Sequence, residues 1–393
     1  MQISHDESLN TRVFTAIDKS AFLHNYKLLA EAMPPCSSAC AVVKANSYGH
    51  GAAVLAKELE RHTCRSENAP QYFAVADVGE AIDLRNHGIK TPIIILGRTD
   101  PHSADILSRF FITQCVHSAE YARELSSKLS EGLSVSCHIK LDTGMTRLGF
   151  DVSDDAAREK TVSEISAIHG IENLNFTGIF SHFAVADEPG SGFSAEQITR
   201  FDKTVALLAE KGIKFKYRHL ANSAGTYMFN LPYELSRFGI MLYGYYPSEE
   251  TKAIWEKSHD PVRPVMSLCA KVSQIHTPSA GTTIGYGRTY VAKGGERIAC
   301  IAAGYADGVP RLLSNSGRAI DNNCRFVGNV CMDMCFIDVT DSKSEIREGD
   351  TVTLFGTYGS SGEISAEDWA KTANTISYEI LCGISARVPR MYY

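Results

Sequence analysis

The sequence lacks the marks of several protein classes. No run approaches the roughly 18 uninterrupted apolar residues that a membrane span requires. The opening stretch MQISHDESLNTRVF has neither the basic start nor the apolar run of a secretory signal, so a cytoplasmic location is expected. Basic stretches able to neutralise phosphates are missing and the formal net charge is -6, which excludes a nucleic-acid binder. The 11 cysteines include no Cys-x-x-Cys pair, which removes both a zinc knuckle and a thioredoxin-like redox pair. Cys36/Cys40 and Cys331/Cys335 are spaced by three residues, but no partner pair follows at metal-ligand spacing, and no metal is expected. Internal repeats and low-complexity segments are also absent.

What remains is an ordinary globular composition, 44% hydrophobic and 21% charged over 393 residues, long enough for two domains. Over the first 245 residues, short β-rich apolar runs occur near 39–43, 72–76, 92–96, 112–116, 135–141, 176–181, 218–221 and 234–240. Helical spacing fills most of the gaps, as in 78–87, 119–129, 157–169 and 195–211. Alternation of this kind implies right-handed βαβ units and a parallel sheet. Eight repeats predict an α/β fold of the (β/α)8 TIM-barrel kind over 12–245. A doubly wound sheet is the competitor, but its glycine fingerprint is missing after the first run. Residues 247–264 are polar, hold three prolines and read as a linker. Beyond them, β-branched runs near 268–275, 297–302, 324–327, 335–339 and 351–355 predict a mostly β domain over 246–393, with a helix near 366–376. The N-terminal strand within 1–17 is expected to pack on that second domain.

Active sites of such barrels lie at the C-terminal ends of the strands. Lys44 follows the first run, Asp142 and Arg147 the fifth, His182 closes the sixth, and Asn222 and Ser223 follow the seventh. Arg237, Gly239 and Ile240 lie in or just after the eighth. Any one of these reads equally as a cap or a surface group; together they mark one mouth. Lys44 stands out because the apolar run Cys40–Val43 precedes it. A desolvated lysine loses proton affinity and becomes an imine-forming nucleophile, whereas a lysine that simply reaches solvent does not. The glycines and Ser223 near strands seven and eight suggest a phosphate site, or only a helix cap.

Nine segments resemble the alanine racemase family: AVVKANSYGHG around Lys44, KLDTGMTRLGF, SHFAVADE, HLANSAG, SRFGIMLYG, GYGRTY, AAGYADGVPR, VGNVCMD and SYEILCGISARVPR. They span nearly the whole chain in family order, and the lysine run, GYADG and ISARVPR are the specific ones. The resemblance implies a fold type III, pyridoxal 5'-phosphate-dependent isomerase of alanine, working as a cytoplasmic homodimer that supplies D-alanine for peptidoglycan. It implies that Lys44 carries the cofactor and serves as one acid/base, with Tyr286 of the partner subunit as the other. Tyr48, Asn222, Ser223, Gly239, Ile240 and Tyr378 are implied around the cofactor, most of them at its phosphate. Arg237 is implied at the pyridine nitrogen, where arginine can only donate, and His182 beside it. Arg147 and the Met332 backbone N–H are implied at the substrate carboxylate, and Tyr305 and Tyr378 along the entry path. Arg237, His182 and Arg147 are expected to form a cationic neighbourhood for Tyr286.

In some family members the lysine matched by Lys140 is carbamylated; the other reading of Lys140 is an ordinary surface pair with Asp142. Two departures stand out. Asn329 occupies a position where arginine is commoner, so that a gate contact is lost or replaced, and Gly285 one where serine is common. A serine or broad-specificity racemase, a fold-related decarboxylase and a non-catalytic cofactor carrier are the competing readings.

Overall fold

The computed structural model describes residues 2–4, 7, 10–63, 69–360 and 362–393; positions 1, 5, 6, 8 and 9 of the N-terminal segment lie outside the described residues. Strand β1 (Val13–Ile17) is followed by the helix Lys19–Ala32, which Asp18 caps by accepting from the Ala21 N–H at 2.9 Å. This helix buries Phe22, Tyr26 and Leu29, each burial stabilising the fold by roughly 1.5–3 kcal/mol.

Eight parallel strands then make the barrel: β2 (Ser38–Val42), β3 (Tyr72–Val75), β4 (Ile93–Ile95), β5 (Ile112–Val116), β6 (Val135–Asp142), β7 (Leu174–Phe180), β8 (Tyr217–His219) and β9 (Leu235–Phe238). Their order is β8-β7-β6-β5-β4-β3-β2-β9. The short central strands are buried throughout, Ile93–Ile95 being the plainest case, because helices cover the outside and side chains fill the inside. The seam between β8 and β9 is closed locally. The Arg237 N–H donates to the Ala221 carbonyl at 3.2 Å, and Arg218 pairs with Glu234 at 2.6 Å.

The second unit is a mostly antiparallel sheet of β10 (Met266–His276), β11 (Ile298–Ile301), β12 (Asp321–Phe326), β13 (Cys335–Asp338), β14 (Thr351–Phe355) and β15 (Arg390–Tyr392). Strand β10 is long enough to pair with β1 and β14 over its first part and with β11 over its last, shifting register between Val272 and Gln274. Strand β1 also lies parallel to β15, so segments from both ends of the chain enter this sheet.

The stretch 247–264 is not a plain linker. It contains the helix Glu249–Trp255, started by a reciprocal cap between Ser248 and Thr251. Trp255 is fully buried, and its indole N–H donates to the Asp260 carbonyl at 2.8 Å. One buried indole and one cap outweigh the polar, proline-rich composition.

Candidate active site

Lys44 sits at the C-terminal end of β2, and the chain after it takes an unusual path. Ala45, Asn46 and Ser47 have φ of 51°, 53° and 55° with ψ of 46–51°, and Tyr48 has φ of 51°. Four successive L-residues thus form one left-handed turn, at a cost of roughly 1–2 kcal/mol each. Gly49 ends it at φ +83°, packed so tightly that a Cβ there would lie 2.4 Å from the Leu381 carbonyl oxygen. The turn leaves both Lys44 and Tyr48 on the wall of one cavity.

Lys44 and Tyr48 line a cavity of about 640 Å³ together with Lys140, Arg147, His182, Asn222, Ser223, Arg237, Gly239, Ile240 and Tyr378. Among the described residues, the lining holds four Lys and Arg side chains and no carboxylate. Burial first, and then the Arg147 guanidinium, lower the proton affinity of Lys44.

Arg237 is buried and, among the described residues, has no acidic partner. Its guanidinium donates to the carbonyls of Ser181 at 2.9 Å and Leu220 at 3.0 Å, and to the Nδ1 atoms of His219 at 2.8 Å and His182 at 3.1 Å. Burial lowers its pKa only to about 10, so it stays charged at neutral pH. Because arginine only donates, Nδ1 of both histidines must be the accepting nitrogen. His219 therefore carries its proton on Nε2 and passes a bond to His138 Nδ1 at 2.9 Å. Burial and Arg237 hold His182 and His219 well below the usual imidazole pKa. His182 is consequently neutral, which corrects the expectation that it adds positive charge to the site. The part played by His138 and His219 escaped the sequence reading; each looks like an ordinary strand residue until the barrel brings β6, β8 and β9 together.

In the same cavity the Gly239 N–H donates to Ser223 Oγ at 2.8 Å, and a Cβ on Gly239 would lie 3.4 Å from both Ser223 Oγ and the Tyr48 hydroxyl. Ser223 Oγ, the Tyr48 hydroxyl and the Gly239 backbone thus lie close together on the cavity wall. Asn222 lines the cavity but spends its side-chain oxygen on the Gly225 N–H at 2.9 Å, capping the short helix Ser223–Met228. Burial keeps the Tyr48 and Tyr378 hydroxyls protonated.

Lys140 does not pair with Asp142 at the surface. It is 6% exposed, with Nζ 4.8 Å from the centre of the Phe180 ring. Asp142 instead accepts from the N–H groups of Gly144 and Thr146 at 2.9 and 3.0 Å. Burial, with Arg237 next, pushes the Lys140 pKa down to about 7.

Tyr286, Tyr305 and Met332 line none of this cavity. They lie on the β domain, 75%, 45% and 54% exposed. Tyr286 is at the tip of the hairpin Thr283–Ile284/Tyr290–Val291. Gly285 there has φ 67° and ψ -170°, a conformation open essentially to glycine alone, which accounts for the departure from serine. The Asn329 side-chain amide donates to the Tyr286 carbonyl at 2.7 Å, so the residue standing in place of the commoner arginine holds the hairpin tip. Tyr305 and Met332 share one loop junction, in which the N–H groups of Tyr305 and Ala306 donate to the carbonyls of Cys331 and Met332, both at 3.0 Å. Beneath it the fully buried Asp307 is bound by Arg12 at 2.7 Å and Arg387 at 2.8 Å, which assigns the GYADG and ISARVPR motifs a structural task. Val291, Leu312 and Met334 are also exposed on this domain.

Two family models match the chain: "Alanine racemase, N-terminal domain" over residues 17–247 and "Alanine racemase, C-terminal domain" over 265–392. Alanine racemase 2 of Caldanaerobacter subterraneus subsp. tengcongensis is 38% identical, over 98% of this chain and 96% of its own length. The alanine racemase of Carboxydothermus hydrogenoformans is 39% identical, over 97% of this chain and 99% of its own. Among solved structures, alanine racemase from Clostridium difficile 630 superposes with a TM-score of 0.89 at 34% identity, covering 98% of this chain and 96% of the other. The Bacillus anthracis alanine racemase with bound L-Ala-P gives 0.87 at 32% identity, covering 97% and 95%.

Proposed function

The chain belongs to the alanine racemase family, and from that premise we propose that it interconverts L- and D-alanine with pyridoxal 5'-phosphate, in a cavity completed by a second copy of the chain. One observation carries the reading. Among the described residues, a single cavity lined by four Lys and Arg side chains and no carboxylate includes both a lysine of lowered proton affinity and the group formed by Gly239, Ser223 and Tyr48. This donor set fits a phosphorylated pyridoxal and a substrate carboxylate, both anionic. The bound cofactor supplies an electron sink for the substrate Cα.

The chain's own residues supply the rest. Tyr48, Ser223 and the Ile240 N–H would hold the phosphate, with the Gly239 N–H orienting Ser223 Oγ beside it, Asn222 organising the turn beneath and Tyr378 closing one side. Arg237, fixed by its four bonds, donates to the pyridine nitrogen and has no proton to give up at neutral pH. Arg147, together with the partner's Met332 N–H, takes the substrate carboxylate, and Tyr305 and Tyr378 narrow the approach. The Lys44 amine moves a proton on one face of Cα, and Tyr286 of the partner subunit does so on the other. Neutral His182 presents Nε2–H from a ring already anchored on Arg237. The exposed apolar side chains around Tyr286 and Met332 supply the covering surface such a dimer needs. We place this activity in the cytoplasm, providing D-alanine for peptidoglycan.

The test is incubation of the purified protein with L-alanine, L-serine and L-lysine in deuterated water. Deuterium entering Cα with inversion is expected fastest for alanine. Faster inversion of serine would replace the substrate, and no exchange with any of the three would reject the reading.

Lys140 carries a further expectation. Its amine, with a pKa pushed down to about 7 and flanked by guanidinium groups, has a substantial neutral fraction near pH 7 and can add carbon dioxide, forming an N–C bond and releasing a proton. The resulting carbamate would place one negative charge among the cations and orient Arg147. Without it, the fold suppresses protonation of Lys140 from the usual 10.5 to about 7, while the unfolded chain stays protonated in between. The destabilisation from burying Lys140 is therefore full below pH 7 and relieved as pH rises from about 7 to 10.5. Denaturant unfolding across this range should show wild type gaining stability relative to Lys140→Met in carbon-dioxide-free buffer. Bicarbonate should flatten that gain; an unchanged slope, with unmodified lysine in a crystal grown in bicarbonate, would remove the carbamate.

A further inference from the structure

We propose that Glu80 is a positioning residue for Lys44, acting as a clamp on the left-handed turn. Glu80 lies on the helix Val78–Asn86, which follows β3 and not the lysine's own strand. Its carboxylate accepts from the Ala45 N–H at 2.5 Å and from the Ala76 N–H at 2.7 Å. Ala45 is the first residue of the turn and Ala76 the first after β3. One side chain therefore ties together the ends of two neighbouring barrel strands at the mouth.

The turn needs such restraint, because a left-handed turn of L-residues persists only where its surroundings over-determine it. Other contacts hold its far side. Asn46 accepts from the Ala52 N–H at 2.8 Å, Arg390 donates to the Gly49 carbonyl at 3.0 Å, and Tyr392 donates to the His50 carbonyl at 3.1 Å. Glu80 takes the lysine end. Its two bonds are charge-assisted and thus stronger than neutral ones. With the clamp lost, Ala45 is free to relax to a right-handed conformation, and the Lys44 Cα shifts with it.

The importance of Lys44 rests on the functional reading above; the clamp itself rests on geometry. Two variants separate its reach from its charge. Glu80→Asp keeps the charge but is too short to bridge both N–H groups, and Glu80→Gln keeps the length but gives up the charge and one acceptor. Amide hydrogen exchange, read on the segment 43–48 of the intact protein, is expected to accelerate roughly ten- to a hundredfold in both. Exchange in β10 should be unchanged. The rate at which borohydride fixes added pyridoxal phosphate to Lys44 should fall in parallel, and Asp83→Asn on the same helix should behave as wild type.

Wild-type exchange of both variants at 43–48 would overturn the clamp, as would normal Lys44 labelling in Glu80→Asp with slowed labelling in Glu80→Gln, which marks a charge effect alone. Should neither variant fold, the wild-type protein still decides: Ala45 is an exposed residue, so an amide exchanging at the free-chain rate there means no clamp. Failure of the wild type to take pyridoxal phosphate at Lys44 would sink the functional reading, while the exchange rates would still judge Glu80.

Discussion

Lys44→Ala is expected to lower alanine racemisation by about 10⁴-fold or more, since the substitution removes the cofactor's attachment and a proton-transfer group together. The fold should survive. Lys44 is half-buried at a strand end and, in the described residues, donates no hydrogen bond that the core depends on, so near-wild-type circular dichroism and thermal unfolding are anticipated. Lys44→Arg should be almost as inactive, because a guanidinium does not become neutral at working pH whereas the lysine amine, desolvated and beside Arg147, does so more readily. A small primary amine added to Lys44→Ala has room in a cavity of about 640 Å³ and should restore part of the activity. Rescue should grow with pH, following the neutral fraction of the added amine. Activity of Lys44→Ala within tenfold of wild type would end the assignment of this residue.

The second large effect concerns where the opposing group comes from. Tyr286→Phe by itself should cost about 10²–10⁴-fold, the range for loss of a positioned proton-transfer group. Subunits of Lys44→Ala and Tyr286→Phe, each nearly inactive, should regain activity when dissociated and reassociated together. If each site joins one barrel to the other chain's β domain, a mixed dimer has one doubly altered and one intact site. With random reassociation half the dimers are mixed, so recovery should approach about a quarter of wild type. Were Tyr286 to serve the barrel of its own chain, no mixed dimer would hold an intact site and the mixture would stay inactive. The exposure of Tyr286 and its absence from the Lys44 cavity favour recovery.

Much of the architecture was legible in residue order. Each barrel strand lies within a few residues of its apolar run, because a strand buried on both faces needs unbroken apolar sequence and its helices need helical spacing. The residues at strand ends could be listed for the same reason. Two features were not legible. Lys140 and Asp142 are two apart on one strand, a spacing that puts them on one face but does not say that this face is the barrel interior, where Asp142 turns away to bind backbone. Asn222, by contrast, announced a cap, and a cap is what its side chain makes. Nothing in the types Ala, Asn, Ser and Tyr announces a left-handed turn, since each prefers the right-handed one when left to itself.

The sequence by itself determined the order of strands and helices, the place of Lys44 at the end of the first barrel strand, and the family, because periodicity and motif spacing are local properties. Only the tertiary structure decided the electrostatics. Arg237 became a fixed donor when the barrel brought two carbonyls and two neutral histidines around it, and Lys140 lost its proton affinity when the core closed over it. The left-handed turn after Lys44 belongs to the same class. Its strain is local, but the groups that hold it, Glu80, Arg390 and Tyr392, come from elsewhere in the chain.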